Sequence, residues 1–374
     1  MATPVGNIYT TNITPDNETG IGNYTLADFD RAVRKGVAKD GHRLYPAMPY
    51  PSYVKLSDAD IRALYAWFKH DVKAVHQENK PSDIPWPLNM RWPLAFWNSL
   101  FTVTGPREQK PEQNEQWNRG AYLVEGPGHC GSCHTPRGLA FNEKGLDDSS
   151  QHFLAGASLD GWYAPSLRGD SNTGLSRWSE DDLFTFLKTG RNQHGVVFGS
   201  MADVFNNSTQ YMSDEDLRAI AHYLKSLPAG SNNQQQTWHY DEAKPGTLTL
   251  ADRIKTPGAQ TFMARCSSCH GADGKGQAPW IPPLAGATSM LIDDSSSINV
   301  TLNGSARVVS AGMPDAFRMP AFRKQLSDQE MADVLSFIRT SWGNTGAPVK
   351  PEKVKDLREK TDPASSNVII LQMR

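Results

Sequence analysis

Cysteine is scarce in this sequence, charge is nearly balanced and long apolar runs are missing, and each shortage excludes a class of protein. All four cysteines lie in two Cys-x-x-Cys-His pentapeptides, so none remains for the disulfide framework that staples small secreted domains. The formal net charge of −2 provides no basic field, so we expect no nucleic-acid partner. No run of about 18 apolar residues occurs, so the sequence predicts no helix that crosses a bilayer.

Length and composition predict several small, loop-rich domains. A chain of 374 residues exceeds one ordinary core, and at about 100 to 150 residues per domain it should hold two or three. Hydrophobic residues make up 38%, while 30 glycines and 25 prolines indicate many loops between modest helices. Such domains suit a core in which a bound group supplies part of the volume that side chains would otherwise fill.

One helical pattern occurs three times, each time opening with a serine and acidic residues. The copies span residues 57–69, 213–227 and 327–342. In each copy the serine oxygen can accept a first-turn amide, the acidic residues meet the positive helix end, and apolar residues recur at three-to-four spacing. We interpret each copy as the closing helix of one domain, and residues 25–37 and 179–189 predict a matching pair of helices upstream.

The two pentapeptides carry the strongest chemical signal in the chain. They read Cys130-Gly131-Ser132-Cys133-His134 and Cys266-Ser267-Ser268-Cys269-His270. Two cysteines at this spacing can form thioethers to both haem vinyl groups, and the adjacent histidine can then ligate the iron. A zinc half-site or a redox disulfide is the alternative for a bare Cys-x-x-Cys, but more than a hundred residues separate the pairs, against about 15 to 20 in a zinc ribbon. The sequence therefore predicts two covalent c-type haems, each preceded by a helix, at 118–123 and 258–262.

A methionine precedes each closing helix and is a candidate second axial ligand. Met201 and Met319 are expected in loops between two helices, and Met48 occupies the same place in the first repeat. The alternative is a gap-filling core methionine. Met313 competes with Met319, but Met319 lies at the same short offset before its closing helix as Met48, and His194 could replace Met201 if its loop rearranges.

Ligation by histidine and methionine would leave no open iron position, so the predicted chemistry is reversible one-electron transfer rather than catalysis at the irons. Pro165 and the Pro282-Pro283 pair lie where a backbone carbonyl could accept the second imidazole proton. A plain turn proline is the alternative.

The Trp-rich segment 86–97 would suit a membrane interface, a partner subunit or packing between two domains.

Four stretches carry a resemblance to a known family. They are Ile8-Tyr9-Thr10-Thr11-Asn12-Ile13-Thr14-Pro15-Asp16, Thr19-Gly20-Ile21-Gly22, Leu44-Tyr45-Pro46-Ala47-Met48-Pro49-Tyr50-Pro51 and Phe337-Ile338-Arg339-Thr340-Ser341-Trp342-Gly343-Asn344. With the haem motifs, the chain resembles the three-haem cytochrome c subunit of bacterial membrane-bound, flavin-linked dehydrogenases of gluconate, sorbitol, fructose or alcohols. It is most similar to the gluconate 2-dehydrogenase cytochrome subunits, including the tail at 362–368.

The resemblance implies a fold, partners and a location. The fold class would be all-α, with tandem cytochrome c-like domains joined by loop-rich linkers. A flavoprotein dehydrogenase subunit would oxidise the substrate, with a small third subunit beside it, and the cytochrome subunit, not catalytic alone, would pass electrons to ubiquinone. The complex would lie at the periplasmic face of the bacterial inner membrane, with the chain held peripherally. Two haems c are expected in this chain and a third in a full-length relative.

The expected domain division follows the repeats. It consists of a truncated cytochrome c-like domain at 1–76, a Pro- and Trp-rich linker at 77–116, a complete domain at 117–228, a linker at 229–250, a complete domain at 251–342 and a tail at 343–374 without a long periodic segment. The signal peptide and first haem pentapeptide that should precede Thr3 are absent from the sequence. Met48 is therefore an orphan ligand of the first haem, and residues 1–76 are expected to be the least stable part of the chain.

Two rival functions remain open at this point. A two-haem peroxidase also carries two such pentapeptides but needs one iron without a strong sixth ligand, which Met201 and Met319 oppose. A cytochrome subunit of a respiratory oxidase is the weaker rival, because no segment anchors the chain in the membrane.

Overall fold

The computed structural model describes residues 2–3, 6–159, 161–230, 236–242 and 255–362. These residues are mostly helical, and the strands of the described part form three two-stranded antiparallel pairs. The helices are α1 (Leu26–Lys35), α2 (Tyr50–Tyr53), α3 (Asp58–His70), α4 (Leu94–Phe101), α5 (Glu115–Glu125), α6 (Gly131–His134), α7 (Glu180–Thr189), α8 (Ser200–Asn207), α9 (Asp214–Ser226), α10 (Ala259–Arg265), α11 (Ser267–His270), α12 (Thr288–Leu291), α13 (Ser295–Asn303), α14 (Asp328–Thr340) and α15 (Pro351–Lys360).

The strands are β1 (Ala2–Thr3), β2 (Gly6–Asn7), β3 (Ala157–Leu159), β4 (Trp162–Ala164), β5 (Val309–Ser310) and β6 (Met313–Pro314). Each pairs with its sequence neighbour, and in the longest pair Ala157 lies opposite Ala164 and Leu159 opposite Trp162. No helix of the described residues is both long enough and apolar enough to span a bilayer. By its contacts the chain divides into two compact units, residues 1–132 with 137–153 (unit 1) and residues 133–136 with 154–374 (unit 2).

The three helices that the repeat predicts are confirmed as α3, α9 and α14, and their serines are the N-caps. The oxygens of Ser57, Ser213 and Ser327 accept the amides of the third residue of each helix at 3.1 to 3.2 Å. These bonds satisfy amides that the helix cannot satisfy itself. The helices predicted upstream are confirmed as α1 and α7, and those predicted before the pentapeptides as α5 and α10.

Unit 1 packs α1 and α3 around a small core. Phe29 of α1 meets the rings of Tyr65 and Phe68 of α3 at centroid distances of 5.6 and 5.9 Å. A buried ion cluster lies elsewhere in this unit: Glu125 at the end of α5 accepts from both Lys55 Nζ and Arg107 Nε at 3.0 Å. Both bonds end on Glu125 Oε2, so one carboxylate holds two buried cations.

Unit 2 contains a first part with α7 to α9 and a second part with α10 to α15, joined by direct hydrogen bonds. The Ser296 hydroxyl accepts from the Tyr163 amide at 2.9 Å, and Asn206 accepts from the Val309 amide at 2.8 Å. The second part has the larger core, in which Phe262 of α10 meets Phe337 of α14 and the buried Trp342.

The expectation that the tail lacks a periodic segment is wrong for residues 351–360, which form α15. Pro351 stands at the first helical position, where its missing N–H costs nothing. Val354 and Leu357, three residues apart on one face, are buried in the core of unit 2, and Lys353 binds Asp293 at 3.0 Å. Two apolar positions in a polar helix are too few for a clear sequence signal. The remainder of the tail, from residue 363, lies outside the described residues, as do 231–235 and 243–250 of the second linker.

Candidate functional site

Each pentapeptide ends in a short helix that lies after a longer one: Cys266 alone separates α10 from α11, whereas residues 126–130 separate α5 from α6. Helix α10 ends at Arg265, and Cys266 caps α11, with the His270 amide donating to the Cys266 carbonyl at 3.0 Å. In unit 1, the Cys130 amide donates to the Val124 carbonyl of α5 at 3.1 Å. These backbone hydrogen bonds hold each motif in place. The side chains of the cysteines and the histidine remain available for covalent attachment and for iron ligation.

Both histidines are oriented by proline carbonyls, which is one of the two interpretations that the sequence left open. In unit 2, His134 Nδ1 donates to the Pro165 oxygen at 2.7 Å, and His270 Nδ1 donates to the Pro282 oxygen at 3.0 Å. Because a carbonyl can only accept, Nδ1 carries the proton and Nε2 keeps its lone pair for a metal. Burial lowers the pKa of both imidazoles, against an opposing effect of the proline carbonyls. The neutral form, which is the one that ligates iron, is therefore favoured.

Burial raises the pKa of the Cys266 thiol to about 11, with the neighbouring Cys269 adding to the effect. A reactive redox cysteine needs a lowered thiol pKa, so this environment opposes the redox-disulfide alternative. Among the residues that the structure describes, no group of three or more His, Cys, Asp and Glu side chains could hold a metal ion. The zinc alternative therefore has no ligand set in the described part of the chain.

The structure separates the two candidate methionines near α14. Met319 is half-buried against the core of unit 2, and its amide donates to the Ser305 hydroxyl at 2.9 Å. Met313 lies in β6 with 74% of its surface exposed. Gly304 approaches the loop of Met319 so closely that a Cβ on it would lie 2.7 Å from the Met319 oxygen, and its φ of +77° also favours glycine. The loop that presents Met319 is thus packed in place.

The expectation that Met201 lies in a loop is wrong, because Met201 lies in the first turn of α8. Gly199 ends the preceding loop at φ +57° and packs on the ring of Trp162, which leaves no room for a side chain. The helix then starts at Ser200, because Ala202 and Phe205 bury its inner face, and Met201 is half-buried against the same cluster. The sequence missed α8 because it has no N-cap side chain.

The other two candidates, His194 and Met48, each have their own local contacts. His194 stacks on Trp178 with centroids 4.9 Å apart, and its Nε2 lies 3.3 Å from the Asp182 carboxylate. Burial lowers the pKa of His194, and Asp182 opposes this shift. In unit 1, Met48 is half-buried in a turn, and its backbone carbonyl accepts a hydrogen bond from the Tyr50 amide at 2.7 Å.

Four buried donors in the described part of unit 2 have no hydrogen-bond partner there: Arg191 Nη1, Thr209 Oγ1, Trp238 Nε1 and Trp342 Nε1. Buried donors are normally paired, so these four are available to an acceptor from outside the protein chain. Haem carries two propionates that would supply such acceptors, and the residues present therefore fit the group that the pentapeptides imply.

Arg191 is a residue that sequence reasoning missed. It is buried, forms an ion pair with the buried Asp315 carboxylate and lies over the Trp280 ring, 4.6 Å from its centroid. The pair joins the first and second parts of unit 2. More than a hundred positions separate Arg191 from Asp315 in the sequence, so no local pattern could indicate this ion pair.

Comparisons with known proteins identify the family. The family model for cytochrome c matches residues 118–228 and 256–342. The chain is 49% identical over 373 residues to the cytochrome c subunit of alcohol dehydrogenase (quinone) from Gluconacetobacter polyoxogenes, covering 98% of this chain and 79% of that protein. It is also 49% identical over 370 residues to the gluconate 2-dehydrogenase cytochrome c subunit of Pantoea cypripedii, covering 96% of this chain and 82% of the relative.

A more distant relative, the fructose dehydrogenase cytochrome subunit of Gluconobacter japonicus, is 35% identical over 379 residues, with 96% of this chain and 76% of the relative covered. The resemblance stated from the sequence is confirmed, and the peroxidase alternative has no support among these relatives. The alcohol and gluconate relatives are equally identical to the chain, so identity does not favour gluconate.

Proposed function

The chain belongs to the cytochrome c family and is a relative of dehydrogenase cytochrome c subunits, and on that premise we propose that it relays electrons from a flavoprotein dehydrogenase subunit to ubiquinone. A small third subunit completes the proposed complex, at the periplasmic face of the inner membrane. Covalent haem c is the cofactor of this family. Haem iron supplies a reversible one-electron couple when bound.

The observation that carries this proposal is the paired arrangement of two histidines on two proline carbonyls. Each histidine follows a Cys-x-x-Cys on a short helix, each keeps Nε2 for a metal, and each belongs to a segment with a half-buried methionine further along. An imidazole fixed by a second bond is a stronger and better-oriented ligand. Two such sites in one chain suit transfer in steps rather than storage at a single centre.

We assign the ligands by module. Cys130 and Cys133 would attach one haem, with His134 and Met201 as axial ligands. Cys266 and Cys269 would attach the other, with His270 and Met319, and Met48 would serve the first repeat. These modules are the proposed tandem domains at 117–228 and 251–342, with the truncated domain at 1–76, in a fold that we propose is all-α.

The proposal is tested by reconstituting electron transfer with a dehydrogenase subunit. We expect the purified, haem-loaded chain to oxidise no sugar acid or alcohol alone, and to reduce a ubiquinone analogue when the partner subunit and its substrate are added. Assays over gluconate, ethanol and fructose identify the partner's substrate. Turnover by the isolated chain, or a partner that reduces the quinone equally well without it, would refute the relay.

The assignment of Met319 makes a separate prediction. Met319→Ala should abolish the thioether-to-iron absorption band of one ferric haem and lower the reduction potential of that haem, because the soft thioether stabilises the reduced iron. Redox titration followed by optical spectroscopy measures both effects. Met313→Ala is the matched control and should change neither, since Met313 is 74% exposed. The reverse pattern would move the ligand to Met313.

A further inference from the structure

Helix α4 in unit 1 directs a polar residue toward the protein and apolar residues toward the solvent. Asn98, its central polar residue, faces the protein, where its Oδ1 accepts from the Tyr50 hydroxyl at 2.7 Å and its Nδ2 donates to the Lys35 carbonyl at 3.3 Å. Phe96 and Leu100, four residues apart on the other side, are 65% and 73% exposed. A helix that meets only water on its outer side would carry polar residues there.

Other apolar residues extend this exposed side. Trp92 precedes Phe96 by four residues, is also exposed, and meets its ring at a centroid distance of 6.2 Å. The Trp97 indole donates to the Ala140 carbonyl at 2.8 Å, which ties the loop 138–142 to α4. On that loop Leu139 is fully exposed, and Phe141 is exposed with a φ of +59°, a conformation that a phenylalanine rarely adopts.

We define the α4 apolar face by the exposed residues Trp92, Phe96, Leu100, Leu139 and Phe141. Packing between domains, one explanation open from the sequence, does not cover it within unit 1, because these side chains remain exposed there. Single exposed apolar residues are ordinary, but a contiguous set around one helix marks an interaction surface.

The segment that carries α4 lacks carboxylates. From residue 84 to residue 107 the sequence contains no Asp or Glu, and its two charged residues are Arg91 and Arg107. Arg107 is buried against Glu125, so Arg91 is the cation of this segment that can meet a ligand at the face. The Arg91 guanidinium is fixed over the Tyr45 ring, 3.6 Å from its centroid, and donates to the Arg43 carbonyl at 2.9 Å. Tryptophan and other apolar side chains beside a fixed cation, without carboxylates, complement a bilayer surface with anionic headgroups.

We propose that the α4 apolar face docks unit 1 on an anionic lipid bilayer, with Trp92, Phe96 and Leu100 entering the headgroup region and Arg91 meeting lipid phosphates. This rests on the proposed function, in which the electron acceptor is a membrane quinone, and adds the surface that meets the membrane. The rival occupant is a protein subunit, which the test below separates.

Flotation of the haem-loaded full chain with lipid vesicles tests the inference. We expect the chain to float with vesicles of equal parts phosphatidylethanolamine and phosphatidylglycerol, less well at high salt, and poorly with phosphatidylcholine alone. The triple variant Phe96→Ser, Leu100→Ser, Leu139→Ser should lower the bound fraction at least about tenfold, because burying even one such side chain is worth that factor. Asn89→Glu, an exposed position beside Arg91, should weaken binding to the anionic vesicles specifically.

The matched control is Val204→Ser with Tyr211→Ser in unit 2, two exposed positions outside the face, and it should float like the unchanged chain. Unchanged haem spectra in every variant show that folding is intact. Equal flotation of the triple variant, or no flotation of the unchanged chain, would overturn the inference. Loss of dehydrogenase binding by the triple variant with flotation intact would assign the face to a protein instead.

Electron transfer from the partner dehydrogenase to a water-soluble quinone distinguishes this inference from the proposed function. The triple variant should match the unchanged chain in that assay, because neither its haem ligands nor its module contacts are altered. If the unchanged chain floats but transfers no electrons, the proposed relay fails and the docking surface stands.

Discussion

Serine in place of both Cys266 and Cys269 is expected to halve the haem content, from two haems per chain to one. Serine is close to cysteine in size but forms no thioether, so the haem of this module would lose both covalent links while His270 remains on the Pro282 carbonyl. A pyridine haemochrome assay on the purified variant, against protein concentration, gives the count.

The mirror variant Cys130→Ser with Cys133→Ser is the matched control and should also retain one haem. The two single-haem forms report each module separately, so their spectra and potentials should add to those of the unchanged chain. A variant that retains two covalent haems, or two variants that each lose both, would show that the pentapeptides do not act as independent attachment sites.

The second large effect is expected at the buried ion cluster of unit 1. Glu125→Ala would leave Lys55 and Arg107 buried without the carboxylate that binds both at 3.0 Å. Removing one partner of a buried ion pair costs about 3 to 5 kcal/mol, because the remaining charge keeps its desolvation penalty. Amide hydrogen exchange in α5 should therefore accelerate more than about a hundredfold, since 1.4 kcal/mol corresponds to a factor of ten.

The control for this variant is Asp356→Ala, which removes an exposed pair with Lys360 on α15. An exposed pair four residues apart on a helix contributes only about 0.3 to 0.5 kcal/mol, so exchange in α15 should change less than about threefold. Equal effects of the two substitutions would mean that the Glu125 cluster does not hold α5 in unit 1.

The parts of the fold that the sequence predicted are those with local signals. Ser57, Ser213 and Ser327 cap their helices because a serine oxygen next to a three-to-four apolar repeat is sufficient for a helix start. The contacts of His134 with Pro165 and of His270 with Pro282 were one of two interpretations that the sequence left open, beside plain turn prolines. The chemistry of an iron-bound imidazole, which needs an acceptor for its second nitrogen, pointed to these carbonyls.

The parts that the sequence missed depend on contacts between distant residues. Helix α8 around Met201 has no capping side chain and is stabilised by the burial of Ala202 and Phe205. Helix α15 is held by a core whose other members run from Ala259 to Val349. The pair of Arg191 with Asp315 has no local pattern at all, because only the packing of the two parts of unit 2 brings these residues together.

We propose that each pentapeptide binds a haem by two thioethers, and the relay depends on this attachment. Peptide mass spectrometry of the mature chain detects it, with alkylation of accessible thiols before digestion. We expect the peptide with Cys130 and Cys133 and the peptide with Cys266 and Cys269 each to carry one haem and no alkylated cysteine. Alkylated cysteines without haem in properly matured protein would contradict it.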